Sequence, residues 1–205
     1  ERLAQLLLPF GIDPASQCLD LAYPLDPADI EAAQRTLGPT WRPLRLGVNL
    51  SGRKAEKSWG SANYIAVVRN LMSKDPRFGI SICGSPEDAT EVRRVAFATG
   101  AQAVPPQPSL KEFAAILHQF DLLLTPDTAV VHLAAAWKIP TVALYRSDPA
   151  IAPWVPYNTP HRAVAAPGGI AAIPVDRVIA ALEELIKERF AVVASPAILP
   201  SESNR

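Results

Sequence analysis

Three short segments gather residues able to hold an anionic ligand. The first reads Asn49-Leu50-Ser51-Gly52-Arg53-Lys54-Ala55-Glu56-Lys57-Ser58-Trp59. Ser51 and Gly52 let the backbone turn tightly and expose amides. Lys57 supplies a mobile cation that can reach a phosphate, and Trp59 can pack beneath the loop. The second segment is Cys83-Gly84-Ser85-Pro86-Glu87-Asp88. Gly84 permits close backbone approach, and Glu87 or Asp88 can accept hydrogen bonds from ribose hydroxyls. The third runs Thr125-Pro126-Asp127-Thr128-Ala129-Val130-Val131-His132 into Leu133 and three alanines. If a helix opens there, the Thr128 and Ala129 amides, the Thr128 hydroxyl and the positive dipole end suit a diphosphate. Asp127 can cap that helix or orient a donor, and His132 lies one turn further in.

Each segment also has an ordinary alternative. The first can be a solvated charged loop, and acids in a first helical turn often serve the dipole alone. A lone histidine near a helix start is commonly structural. His132 differs from His118 and His161 in having a threonine and helix amides for company.

These residues need a frame to bring them together. Short apolar runs at 44–50, 79–83, 101–104, 121–124, 141–145 and 162–165 read as strands. They lack polar alternation, which is how strands read when helices cover both sheet faces. Helical spacing of apolar residues lies between them, at 61–72, in a segment opening at Ser85-Pro86, and from the Ser109-Leu110-Lys111-Glu112 capping box onward. Further helices are expected at 127–137 and 174–188. The alternation from 44 to about 188 predicts an α/β, Rossmann-like parallel sheet with helices on both faces. In such sheets ligands bind at the carboxyl ends of the strands, where all three segments fall.

The domain expected from this pattern covers 44–189. Residues 1–43 read as a linker or the remnant of a preceding domain, with a helix end at 2–10, a short strand at 19–23 and a helix at 26–37. Residues 190–205 read as a tail.

Composition narrows the function. Apolar residues make up 49% of the 205, charged residues 20%, and the formal net charge is zero. No basic excess marks a nucleic-acid partner. No run of 18 apolar residues marks a transmembrane segment, and the first residues lack a signal-peptide layout. Cys18 and Cys83 are far apart, with no Cys/His cluster to suggest zinc. A cytoplasmic protein without bound metal or cofactor is the expectation. GxSxG, HExxH and P-loop patterns are missing, and the first βα turn lacks the GxGxxG of NAD enzymes.

At its three segments the chain resembles glycosyltransferase family 9, the ADP-heptose:lipopolysaccharide heptosyltransferases. Asp127-Thr128-Ala129-Val130-Val131-His132-Leu133-Ala134-Ala135-Ala136 is similar to the family's D-[ST]-x-x-x-H-L-A-A-A helix start. Lys57-Ser58-Trp59 with Tyr64 resembles its K-x-W loop, and Gly84-Ser85-Pro86-Glu87 its G-S-x-x-E turn. The stretches from Pro140 to Tyr145 and Trp154-Val155-Pro156 also sit where the family places similar residues.

The resemblance implies the C-terminal, nucleotide-sugar-binding half of a GT-B glycosyltransferase. Lys57, Thr128 and the Ala129 amide would hold the diphosphate, and Glu87 would face the ribose. Asp127 and His132 would shape the sugar-phosphate end, and Ser51, Gly52, Trp59 and Gly84 would complete the site. The reaction implied is metal-independent transfer of heptose from ADP-heptose to a lipopolysaccharide-core glycan. It would take place in the cytoplasm, at the inner face of the cytoplasmic membrane. Ala129 stands where many members carry glycine. The acceptor domain and its acidic base would lie outside this chain. The alternatives are a non-catalytic nucleotide-binding or regulatory module, or another doubly wound domain of dehydrogenase or flavodoxin type.

Overall fold

The computed structural model describes residues 4–40, 42–52, 58–147 and 153–190. Six strands form one sheet: β1 Leu44–Asn49, β2 Phe78–Cys83, β3 Gln102–Ala103, β4 Leu122–Pro126, β5 Thr141–Arg146 and β6 His161–Ala166. Every pairing is parallel, and the order is β3-β2-β1-β4-β5-β6. The sequence order reverses between β1 and β4, which opens a crevice at their carboxyl ends.

Helices cover both faces, as the unbroken apolar runs predict. Leu122 and Leu124 of β4 enter one core with Leu46 and Val48, beneath α2 (Ser61–Lys74), α3 (Ala89–Thr99) and α6 (Val175–Phe190). Leu123, between them, enters the opposite core beneath α4 (Leu110–Leu117) and α5 (Ala129–Ala136). Three leucines in a row are therefore all buried, and each contributes about 1.5–3 kcal/mol by leaving water. Ser109 caps α4 as expected, its hydroxyl accepting from the Glu112 N–H at 3.2 Å, while the Glu112 carboxylate takes the hydrogen of that hydroxyl at 2.6 Å.

Differences from the sequence expectations are local. β4 extends to Pro126, because Pro126 still pairs with Leu144 of β5. Asp121 is left outside it but bonds to β1, its carboxylate accepting from the Arg45 N–H at 2.7 Å. A short 3-10 turn, Pro86–Asp88, precedes α3. No strand forms at 19–23. Asp20 there is claimed by side chains, accepting from Lys138 Nζ at 2.6 Å and Asn158 Nδ2 at 2.9 Å. The 2–10 segment, from Ala4 to Phe10, is a 3-10 helix. The 26–37 helix forms as α1 (Pro27–Leu37) and packs on α4 through buried Ala33 and Leu37. Lys111 of α4 bridges to Asp26 and Asp29 across that contact. Residues 191–205 lie outside the described residues.

The two cysteines differ sharply. Cys83 is buried at the end of β2, and burial pushes its thiol up to about 12, whereas Cys18 is exposed. Only the thiolate reacts. A thiol-reagent titration at pH 8 should therefore count one fast group in the native protein. The second should react slower by more than about a hundredfold until denaturant is added. Two fast thiols in the native state would contradict this burial.

Candidate functional site

The crevice at the β1/β4 switch opens into a cavity of about 930 Å3. Its floor is a polar pair inside the sheet. Asn49, fully buried at the end of β1, donates from Nδ2 to Thr125 Oγ1 of β4 at 2.9 Å. The Asn49 Oδ1 accepts the Ser51 N–H at 3.2 Å, and the Thr125 hydroxyl donates to the Pro126 carbonyl at 3.0 Å. Buried polar groups are retained when they are satisfied in this way. Here they hold the two strands and the first loop in one register at the mouth of the site.

A second network fastens the loop after β1 to the loop after β2. Ser51 Oγ donates to Asp88 Oδ2 at 2.5 Å and accepts the Ser85 N–H at 2.5 Å. Ser85 Oγ donates to the same Asp88 oxygen at 2.7 Å. Gly84 lies where these loops touch. A Cβ there would come within 2.9 Å of Ser51 Oγ and 3.2 Å of Val92 Cγ2. The glycine is required by the close approach of Ser51 and Val92, where the sequence reads as making room for a ligand.

On the far side of the switch, Thr128 is the N-cap of α5, extended at φ −144°, with Oγ1 accepting the Val130 N–H at 3.4 Å. Thr128 caps the helix in place of Asp127, whose own N–H continues the sheet ladder to Leu144 O at 2.9 Å. Ala129, exposed, begins the helix. Of the first-turn N–H groups, those of Val130 and Val131 bond back to Thr128 Oγ1 and Thr128 O, so Ala129, in the cavity wall, carries the amide left for a ligand. Alanines 134 and 135 are fully buried, which lets α5 lie close on the sheet.

Tyr145 of β5 connects the third segment to a fourth. Burial, and secondarily the Asp127 carboxylate, push its phenol well above the usual range. It donates to the Trp154 carbonyl at 3.0 Å. The Trp154 ring meets His132 of α5 edge-to-face, with centroids 6.4 Å apart.

Eight sequence-predicted residues therefore share one cavity: Ser51, Gly52, Gly84, Glu87, Asp127, Thr128, Ala129 and His132. Trp59 does not. It is 1% exposed, its Nε1 donates to Ile173 O at 2.9 Å, and its ring packs edge-on against Tyr64. It ties the start of α2 to the turn before α6, so its place is structural rather than ligand-binding. Lys57 lies outside the described residues. Among the described lining residues the charged groups are Glu87, Asp88 and Asp127, with no lysine or arginine.

Several lining residues escape sequence reasoning. Asn49 is a polar end to an apolar strand, a weak signal. Gln107, Pro108 and Phe113 follow β3, and Trp154 follows β5. Gln107 and Pro108 sit in a proline-rich stretch that reads as a loop, Phe113 reads as part of the apolar stripe of α4, and Trp154 is marked by the family resemblance alone.

The family model of glycosyltransferase family 9 (heptosyltransferase) matches residues 2–169. That match takes in the leading residues and all three motif segments, and ends before α6. Among curated proteins none matches in sequence. The glycosyl transferase family 9 structure from Veillonella parvula superposes with a TM-score of 0.76 at 21% identity, covering 90% of this chain and 58% of that one. E. coli ADP-heptose lps heptosyltransferase II gives 0.68 at 17%, covering 87% and 58%. E. coli heptosyltransferase WaaC with ADP-2-deoxy-2-fluoro heptose gives 0.62 at 21%, covering 89% and 52%. At these identities the likeness is one of fold, and this chain spans between 52% and 58% of those three proteins. With more than half of its length matched by the family model, the chain belongs to glycosyltransferase family 9.

Proposed function

We propose that this chain is the donor-binding half of a GT-B glycosyltransferase that uses an ADP-sugar, with heptose as the transferred group. One observation carries the reading. The loops after β1, β2 and β4 converge on a single cavity, and the amino terminus of α5 lines it. The Ala129 amide and the helix dipole favour a diphosphate there, and Thr128 adds a hydroxyl donor. Glu87 faces the ribose hydroxyls, and Asp127 and His132 flank the sugar-phosphate end. Lys57, five residues beyond Gly52 in sequence, supplies the cation that the described lining lacks. As the glycosidic bond breaks, negative charge grows on the leaving diphosphate. The α5 dipole, the Ala129 amide and Lys57 would stabilise that charge, so no metal is required.

The WaaC structure carries an ADP-heptose analogue on the same fold, which supports ADP-heptose here. A lipopolysaccharide-core or related glycan is the proposed acceptor. It would be bound, and its hydroxyl deprotonated, by a further domain of the whole protein. Among the described residues no helix is long and apolar enough to cross a membrane. The proposed place of action is cytoplasmic, at the membrane's inner face.

Strand order β3-β2-β1-β4-β5-β6 is also that of dinucleotide-binding domains, so NAD is the necessary control. In isothermal titration, ADP and ADP-heptose should bind saturably, equally well in EDTA, and NAD should not. Lys57→Ala or Thr128→Val should each weaken ADP by about 1–3 kcal/mol, the scale of a charge-assisted hydrogen bond. NAD binding without any response to ADP, or unchanged ADP affinity in both variants, would refute the assignment.

A further inference from the structure

The cavity is elongated along the top of the sheet. Its walls come from loops following, in spatial order, β3 (Gln107 to Phe113), β2 (Gly84 to Asp88), the β1/β4 switch, and β5 (Trp154). Those five strand positions span roughly 19 Å at the usual strand spacing, the dimension of an extended ligand. A nucleotide sugar is such a ligand: base, ribose, diphosphate and sugar in line. Resting on the proposed function, the diphosphate sits at α5 and the ribose at Glu87, after β2. The base then points toward β3, and the glycosyl group toward β5.

Trp154 stands at that end. Its backbone is fixed, because the buried Tyr145 phenol bonds to its carbonyl at 3.0 Å, yet its side chain leaves the residue 61% exposed. A large aromatic ring held in place and left open to solvent, in a cavity wall, is a surface waiting for an apolar face. A pyranose offers one, since the C–H bonds of a sugar ring cluster on a face while its hydroxyls project at the edge. His132, whose ring stands perpendicular to the indole at 88°, is placed to meet those hydroxyls.

We propose that Trp154 is the stacking platform for the transferred sugar, with His132 beside it as a hydrogen-bonding partner. This wall makes the site discriminate a sugar-bearing nucleoside diphosphate from the bare one. Trp154 touches the substrate without taking part in proton transfer, so its signature is a ratio of affinities.

The test measures ADP and ADP-heptose affinities for the 205-residue chain, Trp154→Ala and Trp154→Phe. Trp154→Ala should lose about tenfold in ADP-heptose affinity, about 1.4 kcal/mol, with ADP held within about twofold. Trp154→Phe should recover most of the loss. The exposed position predicts unchanged circular dichroism in both variants. Equal losses for the two ligands would overturn the proposal by placing the ring against the nucleoside. No loss for either would overturn it by removing the ring from the site. Failure of the wild-type chain to bind ADP would instead refute the nucleotide reading, and the glycosyl platform with it.

Discussion

Ala129→Glu should abolish measurable ADP binding while leaving the protein as stable as before, or slightly more so. Ala129 is the first residue of α5, exposed, and part of the cavity wall. A carboxylate there occupies the space proposed for the diphosphate and repels it. Like charges brought together at a binding surface cost several kcal/mol, so ADP affinity should fall by at least about a hundredfold. The same charge suits the helix. An acid in the first turn interacts favourably with the macrodipole, by about 0.3–1 kcal/mol. Stability and binding therefore move in opposite directions, which no unfolding effect can imitate. Ala129→Gln has nearly the same size without the charge and should lose far less. The measurement is a thermal melt and an ADP titration of all three proteins. If Ala129→Glu binds ADP as well as wild type, the diphosphate does not sit at α5.

The sheet was legible because burial on both faces leaves a plain mark. Leu122, Leu123 and Leu124 can be consecutive only where neither side of the strand meets water. The site was partly legible for a related reason. Gly84, Thr128 and Ala129 are backbone devices, and their types report local conformation directly. Trp59 misled because an aromatic beside a lysine reads alike whether it faces a ligand or a core. Only its bond to Ile173 O, across 114 residues, decides the matter. Asn49 and Thr125 are 76 residues apart, and their pairing exists only once β1 and β4 are neighbours. The supposed strand at 19–23 failed on context. Tyr23 instead meets Trp137 edge-on at 5.9 Å, and its neighbour Asp20 is held by Lys138 and Asn158. Trp154 carries no periodicity at all, and its meaning comes from standing after β5 at one end of an ordered row of loops.

The second large effect concerns how the switch-point strand is seated. Gly47, midway along β1, lies directly against Phe120, the residue just before the β4 region. A Cβ built on Gly47 would overlap the Phe120 ring atoms Cδ2, Cε2 and Cγ. Phe120 is buried in the core beneath α4 and α5 and has little room to yield. Glycine in a central strand is ordinarily a weakness, and here it makes space for the ring. Gly47→Ala should destabilise the protein by about 1–3 kcal/mol, the cost of overpacking. For a chain of this size that is a fall in melting temperature of roughly 3–10 °C. Gly47→Val, with two more methyl groups aimed at the same ring, should leave little folded protein. The mechanism is tested by the double variant Gly47→Ala/Phe120→Leu. A smaller side chain frees the space, so the combined loss should be less than the sum of the single losses by at least about 0.5 kcal/mol. Strict additivity would mean that the ring is not the obstacle. Asn49 follows Gly47 by two residues on the same strand, and its bond to Thr125 at 2.9 Å depends on the β1 register. Any Gly47→Ala protein that does fold should therefore bind ADP more weakly, and relief at Phe120 should recover part of that affinity even where the double variant is less stable than wild type.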